Sequence, residues 1–546
     1  MKPKFISGPP GTGKTNFFIK EKYEELVKQY GHEKIIILSH TNVAADEIRE
    51  VILNLPLMKE KGVRKKALEH KICTIHHYCK HKLLRKDVFS EEDFSNLIIE
   101  TGGRSSLFFK DEKNLDKHKF FRFLNDAHGN GYYDNLHEFW NKRTTDRRSY
   151  KYSFEQILKM KESYDSYKKR NNLYDFIDMI QEFTNKALTP ELDALIIDEA
   201  QDSNKPQINA IEKMATHVKD GHFYMVGDAD QTIFEFAGSD PEYFHILSKE
   251  AVELEQGKRC GQAINNLCKS IIRPIWDHYG YTRKWLPAVY TEKHLQENKI
   301  EQGYKVGDVI KGNGYYLPDL KGSGALDILL NKIKNTNQTF LFTYRGTPSD
   351  KKFRDFFIHN ALEFSHVKNT SFVSKKELRC HYLWPKFIKG EPMSLTQIKA
   401  FWDYMSSKVI VRGKSKAQDP FKDWIKKDYT IDNLINDGLL KPESKAYDDF
   451  RETRLKTDEE RLIYINRVIS KGFDFDGEIR VKYGNIHEVK GLTFDNVIVD
   501  ESLYRDDEPF FVQLRLKYTA YSRGIFDYWT LRSSKNKQLG GINGSI

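Results

Sequence analysis

The first fifty residues alternate between continuous apolar runs and apolar residues at helical spacing. A short run precedes Gly8, and positions 34–39 (KIIILS) are continuously apolar, as in a parallel strand buried on both faces. Residues 16–28 and 44–52 place apolar side chains at helical spacing, and Gly31 marks the end of the first helix. This strand–helix–strand–helix order predicts a parallel α/β sheet.

Later apolar runs predict further buried strands. They lie at 195–197, 223–226, 339–343, 496–500 and 526–531. The segments between them differ, since 80–149 is charged and aromatic while 376–475 is Lys-rich with helical character. We therefore expect two α/β domains, each interrupted by a mainly helical insertion. The expected ranges are 1–79 with 150–250 (insertion 80–149) and 251–375 with 476–546 (insertion 376–475).

Composition narrows the class of protein. The 546 residues include 88 Lys and Arg against 78 Asp and Glu, a formal charge of +10, and 39% are hydrophobic, which indicates folded lobes. No run approaches the ~18 apolar residues of a membrane span, and no apolar leader precedes Gly8. Five sparse cysteines favour a reducing compartment. The charge suggests a polyanionic partner, although proteins that touch no nucleic acid share it.

A phosphate-binding loop follows the first predicted strand. Its residues are Gly8, Pro9, Pro10, Gly11, Thr12, Gly13, Lys14 and Thr15, matching G-x-x-x-x-G-K-[ST]. Glycines let backbone N–H groups turn towards phosphate oxygens, and the following helix start adds positive potential. We expect Lys14 to reach the β- and γ-phosphates and Thr15 to ligate Mg²⁺.

Two acidic sites follow predicted strands. Asp198 and Glu199 come directly after 195–197, and Asp228 follows 223–226. Open α/β sheets bind ligands at the carboxyl ends of their strands, so either site is placed to act in phosphate chemistry. One carboxylate would hold Mg²⁺, and a neighbouring one would polarise the attacking water as general base.

Further segments extend the phosphate loop into an ordered set. They are 198–202 (DEAQD), 226–234 (VGDADQTIF), 254–259 (LEQGKR), 486–494 (IHEVKGLTF) and 518–524 (YTAYSRG). This set resembles the UvrD/Rep/PcrA-like superfamily 1 helicases from Gly8 to Arg523. The resemblance implies two RecA-like domains with ATP between them.

The resemblance also implies roles for individual residues. Gln231 matches the glutamine that senses the γ-phosphate, and Glu199 the general base. Arg259 and Arg523 match two arginines that reach the γ-phosphate from the second domain, and Gly491 joins the nucleotide-binding set. An arginine supplied by another domain would make hydrolysis depend on domain closure.

Contacts to single-stranded DNA follow from the same comparison. The matching residues are His40, Thr41, Asn42, Thr74, His76, Phe234, Phe236, Tyr344, Arg345 and His487. Phe234 and Phe236 either stack on bases or pack in the core. The basic, Tyr-containing stretch 141–152 either follows a nucleic-acid backbone or is a solvated linker.

One apparent metal motif is weak. Cys73, His76, His77 and Cys79 are of types that suit zinc. Their spacing is too tight for a usual finger, and no distant pair completes the ligands. We do not expect a zinc site here.

The expected function is an ATP-dependent, Mg²⁺-requiring helicase or translocase on single-stranded DNA and single/double-strand junctions, moving 3′→5′ by resemblance. We expect a monomer or weak dimer without membrane contact, located in the cytoplasm of a bacterial cell or a phage-infected host. Two alternatives stay open: a translocase that strips proteins without unwinding, and a nucleotide-switched binding module. Backbone contacts and stacking do not distinguish RNA from DNA.

Nucleotide recognition departs from the family's pattern, which generates a first prediction. The upstream glutamine segment that reads adenine has no room before Gly8, Lys258 replaces a base-stacking tyrosine, and Thr493 replaces a ribose-contacting glutamate. Ala237 also replaces a DNA-contacting arginine. We expect GTP and CTP to be hydrolysed alongside ATP when turnover is compared on single-stranded DNA. Strict ATP preference would contradict this.

Overall fold

The structure is a computed structural model. It describes residues 2–83, 87–111, 114–115, 117–142, 150–186, 188, 190–219, 221–296, 303–368, 370–405, 408–411, 421–422, 424, 427–453, 459–472, 477–501 and 508–532. Most of the basic stretch 141–152 (residues 143–149) and the polar end of the chain (533–546) lie outside these residues. The chain divides into two compact units. The first comprises Met1–Thr291, Lys305–Gly312 and Asp507–Ile525, and the second Glu292–Tyr304, Asn313–Asp506 and Phe526–Ile546.

The first unit contains a six-stranded parallel sheet. Its strands are β1 (Lys4–Ser7), β2 (Ile35–Ser39), β3 (Ile72–Thr74), β4 (Ala194–Ile197), β5 (Phe223–Gly227) and β6 (Val252–Glu253). They are ordered β3-β2-β4-β5-β1-β6, and every pairing is parallel. The central strands are fully buried, as their continuous apolar runs predict.

Helices cover this sheet and form the first insertion. They are α1 (Lys20–Tyr30), α2 (Asn42–Leu53), α3 (Pro56–Glu60), α4 (Lys65–Leu68), α5 (Ile75–Leu83), α6 (Glu91–Glu100), α7 (Lys119–Gly129), α8 (Leu136–Lys142), α9 (Phe154–Asn171), α10 (Phe176–Lys186), α11 (Lys205–Ala215), α12 (Pro241–Ser248) and α13 (Gln262–Tyr279). Short 3₁₀ turns lie at Gly103–Ser105, Phe108–Lys110, Ala200–Asp202, Ala229–Gln231 and Glu235–Ala237. A π-helical turn, Lys14–Ile19, precedes α1, and Gly31 ends α1 with φ 79°.

The first insertion has its own aromatic core. Phe94, Phe120 and Tyr164 are among the rings that pack there, and the core extends from Phe89 to Ile177. Helix α9, which the expected boundaries assign to the flanking domain, therefore packs within the insertion's core. The described residues between β3 and β4 form helices but no strand; isolated bridges join Val88 to Tyr174 and Leu192 to Val218.

The second unit contains a second six-stranded sheet. Its strands are β7 (Gly314–Leu317), β8 (Phe340–Tyr344), β9 (Phe364–His366), β12 (Val481–Asn485), β13 (Phe494–Asp500) and β14 (Gly524–Leu531), while β10 (Met393–Ser394) and β11 (Asp428–Tyr429) form a separate antiparallel ribbon. The order is β7-β14-β13-β8-β12-β9, with parallel pairing of β7 to β14 and of β13, β8, β12 and β9 in succession. Two parallel sheets flanked by helices confirm the α/β prediction and are consistent with two RecA-like domains.

The helices of the second unit flank this sheet and build the second insertion. They are α14 (Glu292–Gln296), α15 (Gly324–Asn335), α16 (Thr347–Asn360), α17 (Lys375–Phe387), α18 (Leu395–Tyr404), α19 (Ile431–Asn436), α20 (Glu459–Ser470) and α21 (Ile486–Val489), with 3₁₀ turns at Pro442–Ala446 and Phe450–Thr453. A last helix, α22 (Phe510–Tyr521), belongs to the first unit. Trp384 and Phe401 lie in the second insertion's core. Within the described residues, no helix combines the length and apolar character needed to cross a bilayer.

Candidate nucleotide and nucleic-acid sites

The phosphate loop and both acidic segments meet at one edge of the first sheet. Strands β4, β5 and β1 are neighbours, and Ser7 is in register with Gly227. The loop after Ser7, the acids after Ile197 and Asp228 after Gly227 therefore leave the sheet at adjacent carboxyl ends. The backbone N–H of Gly8 donates to Gly227 O (3.2 Å), which ties the loop to β5.

The phosphate loop closes on its own carbonyl groups. Lys14 Nζ donates to Gly8 O (2.9 Å) and Pro9 O (3.5 Å), and Thr12 Oγ1 donates to Pro9 O (2.8 Å). Burial lowers the pKa of Lys14, although the charges of Glu199 and Asp228 oppose that shift. The ammonium group is thus held where a phosphate oxygen would replace the carbonyl oxygens as its partner.

Gly11 can only be a glycine in this loop. Its φ is 72°, and a Cβ there would lie 2.3 Å from Arg259 Cβ. Gly11 O also accepts a hydrogen bond from the Lys258 N–H (2.7 Å). The loop is therefore packed directly against the segment that carries Arg259.

Thr15 and Asp198 face each other. Thr15 Oγ1 lies 3.4 Å from each carboxylate oxygen of Asp198. Burial, reinforced by the adjacent charge of Glu199, raises the pKa of Asp198 to about 7. A hydroxyl and a buried carboxylate at this spacing form an oxygen pair whose charge balance improves when a cation binds.

Glu199 occupies an unusual backbone position. Its φ is 49°, in the left-handed region that non-glycine residues rarely adopt. Gln201 Nε2 donates to Glu199 Oε2 (2.6 Å), and Gln201 Oε1 accepts from the Asp228 N–H (3.0 Å). Since a Cβ at Gly227 would lie 2.3 Å from that Gln201 oxygen, the glycine makes room for this bridge. Gln201 thus fixes the carboxylate expected to act as general base.

Asp228 belongs to a buried ionic network. Arg283 Nη1 binds Asp228 Oδ1 (2.6 Å) and Asp230 Oδ2 (2.8 Å), and Arg283 Nη2 donates to Ser7 Oγ (2.9 Å). Trp276 Nε1 donates to the same Asp230 oxygen (2.8 Å). Burial alone would raise the pKa of Asp228, yet the Arg283 guanidinium keeps it below its usual value, whereas burial raises that of Asp230 to about 6. Asp228 is therefore the partner of a fixed arginine in this structure.

Gln231 and Arg523 are joined. Gln231 Nε2 donates to Asp228 Oδ2 (2.7 Å), and its Oε1 accepts from Arg523 Nη2 (2.6 Å). Arg259 Nη1 donates to Ser522 O (3.4 Å). Burial, followed by the charge of Arg259, lowers the pKa of Arg523 to about 10. Both arginines fall within the compact unit that holds the phosphate loop.

The residues present fit a nucleoside triphosphate with Mg²⁺. Lys14 and Arg523 supply buried positive charge, the half-buried Arg259 adds a third cation, and Thr15 with Asp198 supplies oxygen ligands. Mg²⁺ is usually bound by one or two protein oxygens together with substrate phosphates, and Thr15 with Asp198 would provide those oxygens.

The residues of the first unit that are candidates to contact single-stranded DNA lie at the same edge of the first sheet. His40, Thr41 and Asn42 follow β2 and are exposed, although Thr41 Oγ1 also caps α2 by accepting from the Ala44 N–H (3.1 Å). The His40 ring stacks on Phe234 (centroids 5.8 Å apart, 27° between planes). Phe234 is half-buried, so it packs in part against His40.

Phe236 differs from Phe234 in its exposure. Its side chain is 48% exposed, and its ring lies 6.0 Å from that of Phe234. Phe236 therefore presents about half of its ring surface to solvent beside the stacked pair of His40 and Phe234.

Thr74 and His76 follow β3, the neighbour of β2. Thr74 Oγ1 accepts from the His77 N–H (3.3 Å), and His76 meets Phe176 edge to face at 5.2 Å. Burial lowers the pKa of His76 to about 4. Cys73 and Cys79 are buried in the sheet's hydrophobic core. The four residues considered for zinc therefore do not share one surface.

The second unit has its own candidate contacts at the carboxyl ends of β8 and β12. Arg345 Nη1 lies 3.4 Å from His487 Nδ1, and Asn485 Nδ2 donates to Arg345 O (2.7 Å). Tyr344 is buried and its hydroxyl donates to Asp350 (2.7 Å). Gly491, with φ 87°, lies in the exposed loop before β13. Arg345 and His487 are thus the polar groups brought together here.

A cavity of about 1170 Å³ lies elsewhere in the second unit. Its charged lining residues are Lys375, Lys376, Arg379, Lys399, Glu478 and Lys482. From the quoted segment 486–494, the residues Leu492, Thr493 and Phe494 line it. None of the phosphate-loop residues or acids described above lines this cavity.

Sequence reasoning missed Arg283, Gln201 and Arg515. Arg283 lies in an irregular segment between α13 and α14, where a single arginine would be interpreted from sequence as a surface charge. Gln201 falls inside the quoted acidic motif, yet its role depends on the backbone turn at Glu199. Arg515 lies on α22 and binds Glu235. The role of each of these three residues depends on a partner that only the folded chain brings close to it.

The fold and the loop define a P-loop α/β protein. Residues 1–251 match the family model described as the UvrD/REP helicase N-terminal domain. The chain is 23% identical over 405 residues to the ATP-dependent DNA helicase Rep of Buchnera aphidicola (subsp. Acyrthosiphon pisum), covering 69% of this chain and 57% of that protein. It is 24% identical over 233 residues to Rep of Escherichia coli (40% and 32%), and 23% over 406 residues to the ATP-dependent DNA helicase PcrA of Bacillus subtilis (69% and 50%).

The family model that matches the first 251 residues and the Rep and PcrA relatives all point to the UvrD/Rep/PcrA-like superfamily 1 helicases as the proteins that this chain resembles. The resemblance inferred from its ordered motifs is thereby confirmed. The chain spans about half the length of the curated relatives that it matches over most of its own length.

The ionic network generates a stability prediction. Arg283→Met leaves Asp228 and Asp230 buried without their cation, which we expect to lower the free energy of unfolding by about 3–5 kcal/mol at pH 8. Without Arg283 the native pKa of Asp228 rises above its unfolded value and that of Asp230, already raised, rises further, so the native state binds more protons and the loss shrinks as pH falls towards 5. Urea unfolding at pH 5 and 8 measures this. Adding Asp228→Asn and Asp230→Asn should remove the pH dependence, and a pH-independent loss in the single variant would contradict the assignment.

Proposed function

We propose that this chain is an ATP-dependent DNA helicase or translocase that moves along single-stranded DNA and separates duplex DNA. The observation that carries the proposal is the joined set Lys14, Thr15–Asp198, Glu199–Gln201 and Gln231–Arg523 at one sheet edge. These groups supply each element that ATP hydrolysis requires. The relatives are named ATP-dependent DNA helicases, which supports DNA as the nucleic acid along which this chain would move.

Each residue would act on ATP in a definite way. Lys14 exchanges its loop carbonyl partners for β- and γ-phosphate oxygens, and Glu199, held by Gln201, accepts a proton from the attacking water. Gln231 and Arg523, already bonded to each other, reorient towards the γ-phosphate. Mg²⁺, held by Thr15 and Asp198, would neutralise charge on the phosphate oxygens. Movement 3′→5′ follows from family resemblance alone.

Each unit would bind single-stranded DNA through its own side chains. In the first unit these are the exposed His40–Asn42 segment, Thr74, His76 and Phe236. In the second unit they are Arg345 and His487, and Tyr344 is the last residue of the adjoining strand β8. Stepwise movement needs two DNA-binding sites that release the DNA in turn, and each unit would provide one of them.

Two other functions remain testable against this one. A translocase that strips proteins would hydrolyse ATP on single strands without displacing a strand from tailed duplexes. A nucleotide-switched binding module would hydrolyse slowly and respond little to DNA. Strand displacement with 3′- and 5′-tailed duplexes, beside ATP turnover, separates all three and reports polarity.

The first test removes the loop lysine. Lys14→Ala should lower ATP turnover on single-stranded DNA on the order of 10²-fold or more, because the variant loses the cation that meets the transferring phosphate. Lys20→Ala, an exposed lysine of α1, is the matched control and should keep wild-type turnover. Equal rates in wild type and Lys14→Ala would overturn the proposed chemistry.

The second test concerns the exposed ring. Phe236→Ala should weaken binding to single-stranded oligonucleotides by ~1–3 kcal/mol, on the order of 5- to 150-fold in Kd, because one stacked base loses its platform. Its dependence on salt should be unchanged, since no phosphate contact is lost. Fluorescence anisotropy across a salt series measures both. The control is Tyr316→Ala, an exposed aromatic of the second unit (52% exposed), and equal losses in both variants would argue against stacking at Phe236.

A further inference from the structure

Helix α22 contacts the segment that carries the sensor glutamine. The Tyr518 hydroxyl donates to Asp228 Oδ2 (3.3 Å), and Arg523, two residues beyond the helix, donates to Gln231 Oε1 (2.6 Å). Both contacts lie within the first unit. The nucleotide-sensing end of this segment is therefore fixed to α22.

A third contact lies nearer the start of the same helix. Arg515 donates to one carboxylate oxygen of Glu235 through Nε (3.1 Å) and through Nη2 (2.5 Å). The Arg515 side chain is 3% exposed and that of Glu235 is 29% exposed. Arg515 Nη1 is buried without a hydrogen-bond partner, so among the described residues the contact to Glu235 is what orients this guanidinium.

Two of the three contacts share one side of the helix, because Arg515 and Tyr518 are three residues apart and residues at this spacing lie one above another. Arg523 lies just beyond the end of α22, where its Nη2 also donates to Ser522 Oγ (2.9 Å). A displacement at the Arg515 end is thus carried by a rigid element to the Arg523 end.

Glu235 stands between the two rings offered to bases. Phe234 stacks on His40, and Phe236 is the exposed ring. The segment is tightly packed on its far side, because a Cβ at Gly238, whose φ is 95°, would lie 2.0 Å from Gly129 O. Gly238 is thus constrained by Gly129, and a base that displaced Phe236 would act on the adjacent Glu235, which Arg515 holds.

We propose that the Arg515–Glu235 ion pair transmits DNA occupancy at Phe236 to Arg523 and Gln231 through α22. Arg515 and Glu235 are positioning residues in this account, since neither is assigned a contact with ATP or with the strand. The inference rests on the proposed function and specifies how DNA regulates it. The chain also connects Gln231 to Phe236 directly, and the ion pair adds a second connection through the helix that carries Arg523.

The test reverses charges one at a time and then together. Glu235→Arg and Arg515→Glu should each lower the stimulation of ATP turnover by single-stranded DNA at least about fivefold, the lower end of usual coupling between sites. Basal turnover without DNA should stay within about twofold, and the DNA concentration for half-maximal stimulation should change little. The exchanged protein, Glu235→Arg with Arg515→Glu, should recover most of the stimulation, which a merely structural role would not require.

Controls separate the pair from charge and folding effects. Glu100→Arg makes the same charge change at the exposed pair with Arg170 (2.5 Å) in the first insertion and should keep full stimulation. Thermal unfolding is recorded for every variant. Where the exchanged protein is less stable, the isosteric Glu235→Gln decides, because it removes the charge and should lower stimulation in part.

The outcomes distinguish this inference from the proposed function. Wild-type stimulation in Glu235→Arg or in Glu235→Gln overturns the inference, as does a stable exchanged protein that recovers nothing. A wild-type protein that hydrolyses ATP at the same rate with and without DNA overturns the proposed function instead.

Discussion

The charge balance around Asp228 is the constraint on which the first unit depends. A buried carboxylate at the end of β5 is stable only beside a cation, and Arg283 supplies it while also binding Asp230 and Ser7. Because Asp228 is thereby held, its other oxygen is free to orient Gln231. Gln231, which we expect to sense the γ-phosphate, is thus oriented by a carboxylate that Arg283 holds in place.

The same balance explains why the site suits a polyphosphate. Lys14, Arg259 and Arg523 bring buried positive charge to a loop whose backbone closes on itself, and burial lowers the pKa of each. Asp228 is already neutralised by Arg283, which leaves Asp198 and Glu199 as the acids at the phosphate loop. Cations without a full set of carboxylate partners favour an incoming anion.

Sequence patterns predicted the elements whose signal is local. The phosphate loop, the strand before Asp198 and the strand 496–500 were predicted because continuous apolar runs and glycine spacing are visible in one dimension. β12 (VKYGN) mixes polar and apolar residues, and β3 has only three residues, so neither gave such a run.

The remaining features depend on distant partners. The pairs Asp228–Arg283 and Glu235–Arg515 are 55 and 280 residues apart in sequence, so no local pattern predicts them. The motif order predicts Gln231 and Arg523 as nucleotide-binding residues. Their direct hydrogen bond, and Gln201 as the group holding Glu199, required the folded chain.

The measurement that tests the central claim most directly is ATP turnover by the wild-type protein with and without single-stranded DNA, repeated across a salt series. We expect the rate to rise severalfold with DNA. The DNA concentration for half-maximal stimulation should rise steeply with salt, because binding of the DNA strand releases counterions. Turnover that is unaffected by DNA at every salt concentration would contradict it.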